Sequence, residues 1–483
     1  MIATEPVAAE SDLELVAALL VRGLGVVYSC AFASLWVQID GLVGAQGIAP
    51  AADLIALAHE KLGAEAPLAL PTLVLVTGAS DWALHAYCAV GLGAAAALVV
   101  GRAPRTALVV AWLAYLSLST VGDVFLRFQW DALLLEAGVV AFFAASTEPR
   151  LGVWLARALV LKLIFSSGVV KLYSGDPTWR DGSALAFHYW TQPLPVVTSV
   201  FAASLPDWAQ RFSTWSTLAV ELFAPWGMLA PRCARFASAA LLAGLQVVIA
   251  ATGNYGFFNA LTLLLCTAAL DDAVLAGFPW LRLARRTPRW RAAKRAAAAA
   301  LSAASLLTAF ERFTPPLYIP AGILRFIEPL QTLGVVSSYG LFAVMTRDRP
   351  EIEIEGSADG VAWRAYEFRW KPDRLDRAPR FAGPHMPRLD WQMWFAALSQ
   401  CEREAWFQRL LLRLLEGSKP VTRLLANDPF PDAPPRYLRT TLWHYRFADG
   451  EERRAGAWWT RSEGAPYCPI VTLRAGHLAL AEP

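Results

Sequence analysis

The chain has 483 residues, of which 56% are hydrophobic and only 17% are charged, and its mean hydropathy is +0.39. Average soluble domains are about 45–50% apolar and about 25% charged, so this composition indicates an integral membrane protein. The net charge is only +3. Its basic residues do not line one soluble face between aromatic residues, which excludes a nucleic-acid-binding protein.

The first two thirds of the chain contain nine apolar stretches that we interpret as membrane spans, since a span needs about 20 apolar residues. They are 15–36, 83–100, 106–122, 131–146, 152–173, 213–230, 236–252, 256–271 and 294–310. A tenth stretch, 321–346, carries Arg325 and Glu328 near its start, so it either spans or lies in the interface as an amphipathic helix. The first 14 residues contain no Lys or Arg, so we expect no cleavable signal peptide.

Basic residues in short loops predict the orientation, because such loops stay on the cytoplasmic side. Loops 101–105, 231–235 and 273–294 carry them, and the densest cluster comprises Arg282, Arg285, Arg286, Arg289, Arg291 and Lys294. This cluster could also bind nucleic acid or anionic lipid, but its two flanking hydrophobic helices favour a topology signal. The segments predicted to lie on the outer side are then 37–82, 123–130, 174–212 and 253–255.

The composition changes after Met345, and residues 347–483 read as a soluble α+β domain of normal size that follows a helical bundle at 1–346. Residues 351–355 alternate like a half-buried strand, and Asp359-Gly360 predicts a turn into a return strand at 361–370. Residues 402–416 show the periodicity of an amphipathic helix, and 437–447 alternate like a further strand. The domain contains Cys401 and Cys468, for which we expect free thiols, with a disulfide as the alternative if the domain is extracytoplasmic.

Four ionisable residues fall inside the predicted spans, where charges are costly and mark functional candidates: Glu136, Lys162, Lys171 and Glu221. A buried carboxylate needs a partner, so we expect Lys162 to pair with Glu221, Glu136 or both. Lys171 lies near the outer end of its span, where it can extend to the interface. A structural ion pair is favoured over catalysis or transport.

Polar and aromatic residues are frequent in the predicted outer segments. Tryptophans such as Trp190 and Trp208 are explained by an interfacial aromatic belt. The belt does not explain the other residues, which predict an outward-opening polar surface or pocket: Gln129, Asp131, Asp176, Trp179, Arg180, His188, Gln192, Asn254, Tyr255 and Asn259. His188 has no second His or Cys at metal spacing, so we expect no metal and no cofactor.

Several long segments resemble the lipase maturation factor family, and the similarity runs from about residue 12 to about residue 470. They are 128–138 (FQWDALLLEAG), 167–179 (SGVVKLYSGDPTW), 188–195 (HYWTQPLP), 252–259 (TGNYGFFN) and 387–398 (PRLDWQMWFAAL). In the last of these, the residues that carry the resemblance in the C-terminal domain are Arg388, Asp390, Trp391, Gln392 and Trp394. The Ala- and Arg-rich composition favours a bacterial member.

The resemblance implies a role in the folding and assembly of secreted proteins. Animal members of this family lie in the endoplasmic reticulum membrane, help certain secreted lipases to form active dimers, and face the lumen with their C-terminal domain. They are not established enzymes. For this chain the resemblance implies the lipid bilayer and a secreted client as partners, in the plasma (inner) membrane of a bacterium or the endoplasmic reticulum membrane of a eukaryote.

The alternative function is an intramembrane enzyme that acts on a lipid or lipid-like substrate. Its acid–base residues would be Lys171, His188 and Glu136. The vitamin-K-dependent γ-carboxylase group also joins a helical bundle to an outer soluble domain, but that likeness is one of architecture only. A transporter is the weakest reading, because the sequence shows no inverted halves with paired broken helices.

Overall fold

The computed structural model describes residues 13–283, 291–311, 320–462 and 464–481. The helices up to residue 332 are α1 (Glu14–Trp36), α2 (Ile39–Val43), α3 (Ala51–Leu62), α4 (Ala66–Ala69), α5 (Val74–Thr77), α6 (Asp81–Val99), α7 (Pro104–Val121), α8 (Gln129–Ala144), α9 (Pro149–Tyr173), α10 (Pro177–Asp181), α11 (Ala184–Thr191), α12 (Val197–Ala203), α13 (Asp207–Phe223), α14 (Arg232–Thr252), α15 (Phe258–Cys266), α16 (Arg291–Glu311) and α17 (Ala321–Thr332). This part of the chain is a helical bundle.

Within the described ranges, five helices are long and apolar enough to cross a membrane, namely α1, α6, α7, α9 and α14. The other four predicted spans also fall on helices, but α8, α13 and α15 have only 16, 17 and 9 residues. The prediction of a polytopic helical membrane protein is therefore confirmed, while the count of nine spans stays a prediction. Helix α17 has 12 residues, about 18 Å at about 1.5 Å per residue, so this helix alone is too short to cross.

Close packing of small residues holds α1 against its neighbours. A Cβ atom added to Gly25 would lie 2.8 Å from the Ala95 carbonyl oxygen of α6. Helices in lipid associate through such close backbone approaches, because burial of apolar surface gives no driving force there. The first amides of α1 are also satisfied, since those of Leu15 and Val16 both donate to Asp272 Oδ1 at 3.0 Å.

The basic cluster is described only in part, because Arg285, Arg286 and Arg289 lie outside the described residues. Beyond that gap, Lys294 donates to Thr147 Oγ1 at 2.6 Å and Arg295 pairs with Glu148 at 3.0 Å. These contacts place the start of α16 beside the loop that joins α8 to α9.

The C-terminal part is an antiparallel sheet covered by helices, which confirms the predicted α+β class. The strands are β1 (Pro350–Ser357), β2 (Arg364–Tyr366), β3 (Tyr437–Phe447), β4 (Trp459–Arg461), β5 (Ala465–Arg474) and β6 (His477–Leu480), and the helices are α18 (Arg388–Ala397), α19 (Ala405–Leu415), α20 (Lys419–Thr422) and α21 (Gly450–Arg454). The strand order is β2-β1-β3-β5-β6, and β4 also pairs with β3. The return strand is shorter than its pattern predicts, because only 364–366 pair with β1.

The expectation of two free thiols in this domain is wrong, because Cys401 and Cys468 form a disulfide with their Cα atoms 5.5 Å apart. The two cysteines are 67 positions apart in the sequence. They meet because β5 carries Cys468 alongside β3, beneath the turn that precedes α19. The other cysteines, Cys30, Cys88, Cys233 and Cys266, are free.

Candidate functional site

The C-terminal domain packs against one end of the helical bundle, and we call the contact between them the docking interface. Its centre is Arg388, at the start of α18, which is 1% exposed. The guanidinium donates from Nη2 to Asp131 Oδ1 at 2.7 Å and from Nη1 to Asp131 Oδ2 at 3.0 Å. It also donates to the Phe125 carbonyl oxygen at 2.6 Å, and Tyr115 donates its hydroxyl to Asp131 at 2.5 Å. This buried bidentate pair joins the first turn of α8 to the domain.

Aromatic side chains surround this pair. The ring of Trp391 lies 4.8 Å from that of Trp130, 5.8 Å from that of Phe128 and 5.9 Å from that of Tyr255, all in edge-to-face arrangements. Its Nε1 donates to the Asn254 carbonyl oxygen at 2.9 Å. One turn of α18 thus inserts an indole between two segments of the bundle, which is the packing expected of an interface anchor.

Side chains that bond to backbone groups across the contact complete the interface. Trp394 donates to the Thr191 carbonyl oxygen at 2.8 Å. Arg349 is fully buried, is paired with Glu351, and donates to the carbonyl oxygens of Gln192 and Pro193. These carbonyl groups lie directly after the C-terminal end of α11, where no further helical turn supplies a donor. Arg349 of the domain therefore provides the donors that the bundle lacks at this point.

Two amide side chains of the bundle bind the domain in the same way. Asn254 donates to the Arg380 carbonyl oxygen at 2.7 Å and accepts from the Ala382 amide at 2.7 Å. Gln38 accepts from the Arg388 amide at 3.0 Å and donates to the Met386 carbonyl oxygen at 2.9 Å. Each amide group therefore pairs both of its ends with the docked backbone.

The structure buries most of the residues that the sequence places on an open polar surface. Asp131, Asp176, Gln192, Asn254 and Asn259 are each at most 6% exposed. The docked domain, and the chain that leads to it, supply partners for Asp131, Asp176 and Asn254, whereas the side chains of Gln192 and Asn259 are paired within the bundle. Asp176, for example, accepts from the Met345 amide at 2.6 Å. Arg180 is exposed.

Two residues of the C-terminal motif lie inside the domain rather than at the interface centre. Asp390 accepts from the amides of Trp370 and Lys371 at 2.8 and 3.0 Å. Burial raises the pKa of Asp390 to about 6. Gln392 is buried in the same helix. Asp390 holds α18 against the loop after β2, so it orients the docking residues from inside the domain.

A cavity of about 300 Å³ lies in the bundle beside the docking interface. The lining of this cavity comes mainly from α9, α11, α13, α14 and the chain at 341–345. The cavity brings together four of the predicted site residues, Gln129, Trp179, His188 and Tyr255, and the ion pair of Lys171 and Glu221 also lines it. This part of the predicted polar site is thus a pocket. Its volume falls at the lower end of the range of small-molecule sites, about 300–1,000 Å³.

The sequence suggests that Lys171 extends to the membrane–water interface. Its side chain is instead only 6% exposed and is paired with Glu221. Its Nζ lies 2.7 Å from each carboxylate oxygen of Glu221 and donates to the Ser167 carbonyl oxygen at 3.2 Å. The ammonium has three N–H groups, so all of them have acceptors. Glu221, which the sequence offers as a partner of Lys162, is therefore bound to Lys171.

A second polar group of the cavity is a chain of three side chains. Tyr255 donates its hydroxyl to Gln192 Oε1 at 2.9 Å and lies 3.1 Å from His188 Nε2. Burial and the charge of Lys171 lower the pKa of His188 to about 4. The imidazole is therefore neutral at physiological pH.

Glu136 and Lys162 form a separate pair, with Lys162 Nζ 2.5 Å from Glu136 Oε1. Glu136 also accepts from Tyr339 Oη at 2.6 Å and from the Ser337 amide at 3.1 Å. The pair lines a different, mostly apolar cavity of about 510 Å³. Glu136 therefore shares no cavity with Lys171 and His188, and the three acid–base candidates do not form one site.

Sequence reasoning missed several residues of the interface, among them Tyr115, Gln38 and Arg349. Each lies in an ordinary apolar or charged stretch, and only the fold brings it to its partner. Among the described residues, no group of three or more His, Cys, Asp or Glu side chains is placed to hold a metal ion.

Fold and interface together define a polytopic helical membrane protein with a C-terminal α+β domain docked on one end of its bundle. Residues 15–277 match the lipase maturation factor transmembrane domain, and residues 335–469 match the lipase maturation factor C-terminal domain. The chain belongs to the lipase maturation factor family.

Similar proteins cover nearly the whole chain. Lipase maturation factor 2 of Mus musculus is 34% identical over 94% of this chain and 83% of its own length. The Homo sapiens protein of the same name is also 34% identical, over 94% of this chain and 82% of its own length. Lipase maturation factor 1 of Bos taurus is 31% identical over 94% of this chain and 88% of its own length. No solved structure matches the chain.

Proposed function

We propose that the chain is a membrane-embedded folding and assembly factor for secreted proteins, with a lipase as its client. Membership of the lipase maturation factor family supports the general role, and the names of the relatives point to the class of client. The bundle anchors the factor in the bilayer, and the docked domain presents a rigid surface at one end.

The observation that carries this proposal is the convergence of the family-like segments. Segments 128–138, 188–195, 252–259 and 387–398 are far apart in the sequence, yet they meet in the docking interface through Asp131, Thr191, Asn254, Arg388 and Trp391. A stretch that served only to span the membrane would not need to bind the domain. These segments therefore build one body from two parts, and that body is what a client would meet.

The domain lies on the outer side of the membrane in this proposal. All four segments predicted to face outward contribute to the docking interface, through Gln38, Phe125, Thr191 and Asn254 respectively. The disulfide in the domain also supports an oxidising compartment, since disulfides are rare in the cytosol. The membrane would be the inner membrane of a bacterium or the endoplasmic reticulum membrane of a eukaryote.

Exposed apolar side chains near the interface offer contacts to a partly folded client. Phe381 is 63% exposed, and Phe395 and Leu398, at the end of α18, are 40% and 43% exposed. Trp391, by contrast, is buried. We propose the three exposed side chains as client contacts, because apolar groups of this kind dominate binding at interfaces.

Two experiments test this proposal. The full chain is solubilised in detergent and used as bait, and secreted proteins, a lipase among them, are expected in the eluate. Recovery of lipids alone would contradict the client role. Protease is added to sealed vesicles in which the extracytoplasmic side of the membrane faces outward. It is expected to reach the C-terminal domain, and protection of the domain there would contradict its outward position.

The cavity favours a second candidate function, an enzyme that acts on a lipid. It brings Lys171 and His188 together, although Glu136 lies elsewhere. The double variant Lys171→Met/Glu221→Gln removes the ion pair without leaving one buried charge. If the variant folds and still matures its client, the acid–base role is excluded. A loss of maturation with intact folding and client binding would support it.

A further inference from the structure

The cavity beside the docking interface is open to the side of the bundle. Phe212, Leu241 and Val248 line it and are 68%, 55% and 54% exposed on the outside of α13 and α14. In a bilayer, exposed apolar side chains on these helices face hydrocarbon. The cavity is therefore accessible to a molecule that enters from the membrane between α13 and α14.

The charged groups of this cavity leave no net charge for a ligand. Lys171 is bound to both carboxylate oxygens of Glu221 and to the Ser167 carbonyl oxygen. An anionic head would have to compete with Glu221 for an ammonium that has no free donor. A cationic head would meet that same ammonium. The site therefore favours an uncharged ligand.

Two amide side chains line the cavity, and each uses its oxygen to accept a hydrogen bond from the protein. Gln129 Oε1 accepts from the Gly340 amide, but its buried Nε2 has no hydrogen-bond partner. Gln246 lines the same cavity, is 2% exposed and uses its Oε1 to accept from Asn259 Nδ2, so its Nε2 is the end of the amide that can donate to a ligand. A buried donor without a partner, such as Gln129 Nε2, is costly, so an acceptor oxygen on a ligand would offset that cost.

We propose that this cavity binds a neutral lipid that has an aliphatic chain and a head with carbonyl oxygens. The carbonyl oxygens accept from Gln129 and Gln246, and the chain follows the apolar wall toward the opening between α13 and α14. An acylglycerol ester and a quinone share this chemistry. The inference goes beyond the maturation of a client, because it concerns the bundle alone and needs no secreted partner.

Photolabelling of the full chain in nanodiscs tests the proposal. The probe is a monoacylglycerol with a photoreactive diazirine in its acyl chain, and labelled peptides are expected from α13 and α14. Leu245→Trp fills the cavity and is expected to lower this labelling at least about tenfold. Gln246→Leu, of similar volume, removes the Gln246 donor together with the oxygen that accepts from Asn259, and is expected to lower the labelling about tenfold, since about 1.4 kcal/mol corresponds to that factor. Asn259→Leu breaks the same hydrogen bond but keeps the Gln246 donor, so it should leave the labelling unchanged.

The matched control is Leu306→Trp, which places the same side chain in the cavity of Glu136 and Lys162 and should leave the labelling of α13 and α14 unchanged. All variants are compared at equal monodispersity in size-exclusion chromatography. If Leu245→Trp does not fold, Gln246→Leu carries the test.

Competition with unlabelled lipids separates the two sources of the carbonyl group. Monoolein and ubiquinone distinguish an ester from a quinone, and either one displacing the probe supports the proposal. Displacement by oleate as effective as that by both neutral lipids would overturn it, and so would unchanged labelling in Leu245→Trp and Gln246→Leu. These results are independent of whether a secreted client is recovered from the detergent extract.

Discussion

Arg388 is the residue on which the contact between bundle and domain depends most. Its guanidinium is buried, and every acceptor it meets at the interface belongs to the bundle. A buried ion pair adds little net stability over an apolar pair of the same shape, but removal of one partner leaves an uncompensated charge. The pair therefore makes docking specific, because a displaced domain would leave Asp131 without its counterion.

Arg388→Met is expected to weaken docking by about 3–5 kcal/mol, because it leaves the carboxylate of Asp131 buried without a counterion. Limited proteolysis of the detergent-solubilised chain measures this as faster release of the domain. Arg374→Gln is the control, because Arg374 pairs with Asp376 at an exposed site and its loss should cost no more than about 0.5 kcal/mol. Equal release from both variants would contradict the role of Arg388.

The contacts and the pKa of His385 predict how docking depends on pH. Its Nδ1 lies 3.0 Å from the Ser34 hydroxyl of α1, and Ser34 Oγ in turn accepts from the Met386 amide, so the hydroxyl hydrogen is directed to a neutral imidazole. Burial, together with the charges of Arg388 and Arg369, lowers the pKa of His385 from 6.5 to about 4.

A lowered histidine pKa means that the undocked state binds the proton more readily than the docked state. Between pH 6.5 and about pH 4, stability is therefore expected to fall as pH falls, and above pH 6.5 this contribution is complete. Thermal unfolding at several pH values measures the slope, which His385→Gln should reduce. His59→Gln changes an exposed histidine and should leave the slope as it is. His188 has a pKa shifted in the same direction, so part of the slope is expected to persist in His385→Gln.

The disulfide is the covalent constraint of the C-terminal domain. The double variant Cys401→Ser/Cys468→Ser is expected to lose about 2–4 kcal/mol, because the unfolded domain regains the freedom of a long closed loop. Thermal unfolding with and without dithiothreitol measures this. On reduction, the melting temperature of the wild type should fall to that of the variant, whereas the melting temperature of the variant should not change. A wild type that does not respond to reduction would contradict the pairing.

At the scale of elements, the packing of α1 against α6 depends on a close approach at Gly25. A Cβ there would lie 2.8 Å from Ala95 O and 2.9 Å from the Val99 amide nitrogen, so Gly25→Val is expected to separate the helices. Overpacking of this kind costs roughly 1–3 kcal/mol. The measurement is the melting temperature in detergent. Gly93→Val is the matched control on α6, since nothing lies within 4 Å of its Cβ position, and a similar loss in both variants would argue against the packing explanation.

Element types could be predicted because they depend on local pattern. The alternation at 351–355 predicts β1, and the apolar stripe of 402–416 predicts α19, where Trp406, Leu410, Leu411, Leu414 and Leu415 are all buried. Hydropathy likewise locates the long helices. A local pattern fixes an element because its period sets which side chains share a face.

Long-range partners could not be predicted in the same way. Arg388 and Asp131 are 257 positions apart, and Lys171 and Glu221 are 50 apart. From the sequence one can infer that a buried charge needs a partner, because an unpaired charge is costly, but not which residue that partner is. For this reason both Glu136 and Glu221 are possible partners of Lys162 at the level of the sequence. The choice between them depends on how α8, α9 and α13 pack. For the same reason, polar residues that seal an interface resemble those of an open surface in the sequence.

At the scale of the whole molecule, the bundle and the domain form one body, and four of the five family-like segments lie where the two parts meet. The cavity of Lys171 and His188 is adjacent to that contact, because Tyr255, which lines it, also packs against Trp391 of the domain at 5.9 Å between ring centroids. A lipid in the cavity and a client on the docked surface would therefore act on neighbouring parts of the protein.

The most direct test of the central claim, that the docked assembly is the working unit, is the yield of an active secreted lipase in cells that make the wild type, Arg388→Met or Arg374→Gln at equal membrane levels. The lipase is one that the same organism secretes. Arg374→Gln is expected to match the wild type, whereas Arg388→Met should lose most of the active enzyme while inactive lipase persists. Full lipase activity with Arg388→Met, in membranes where protease shows that the domain is released, would contradict the account.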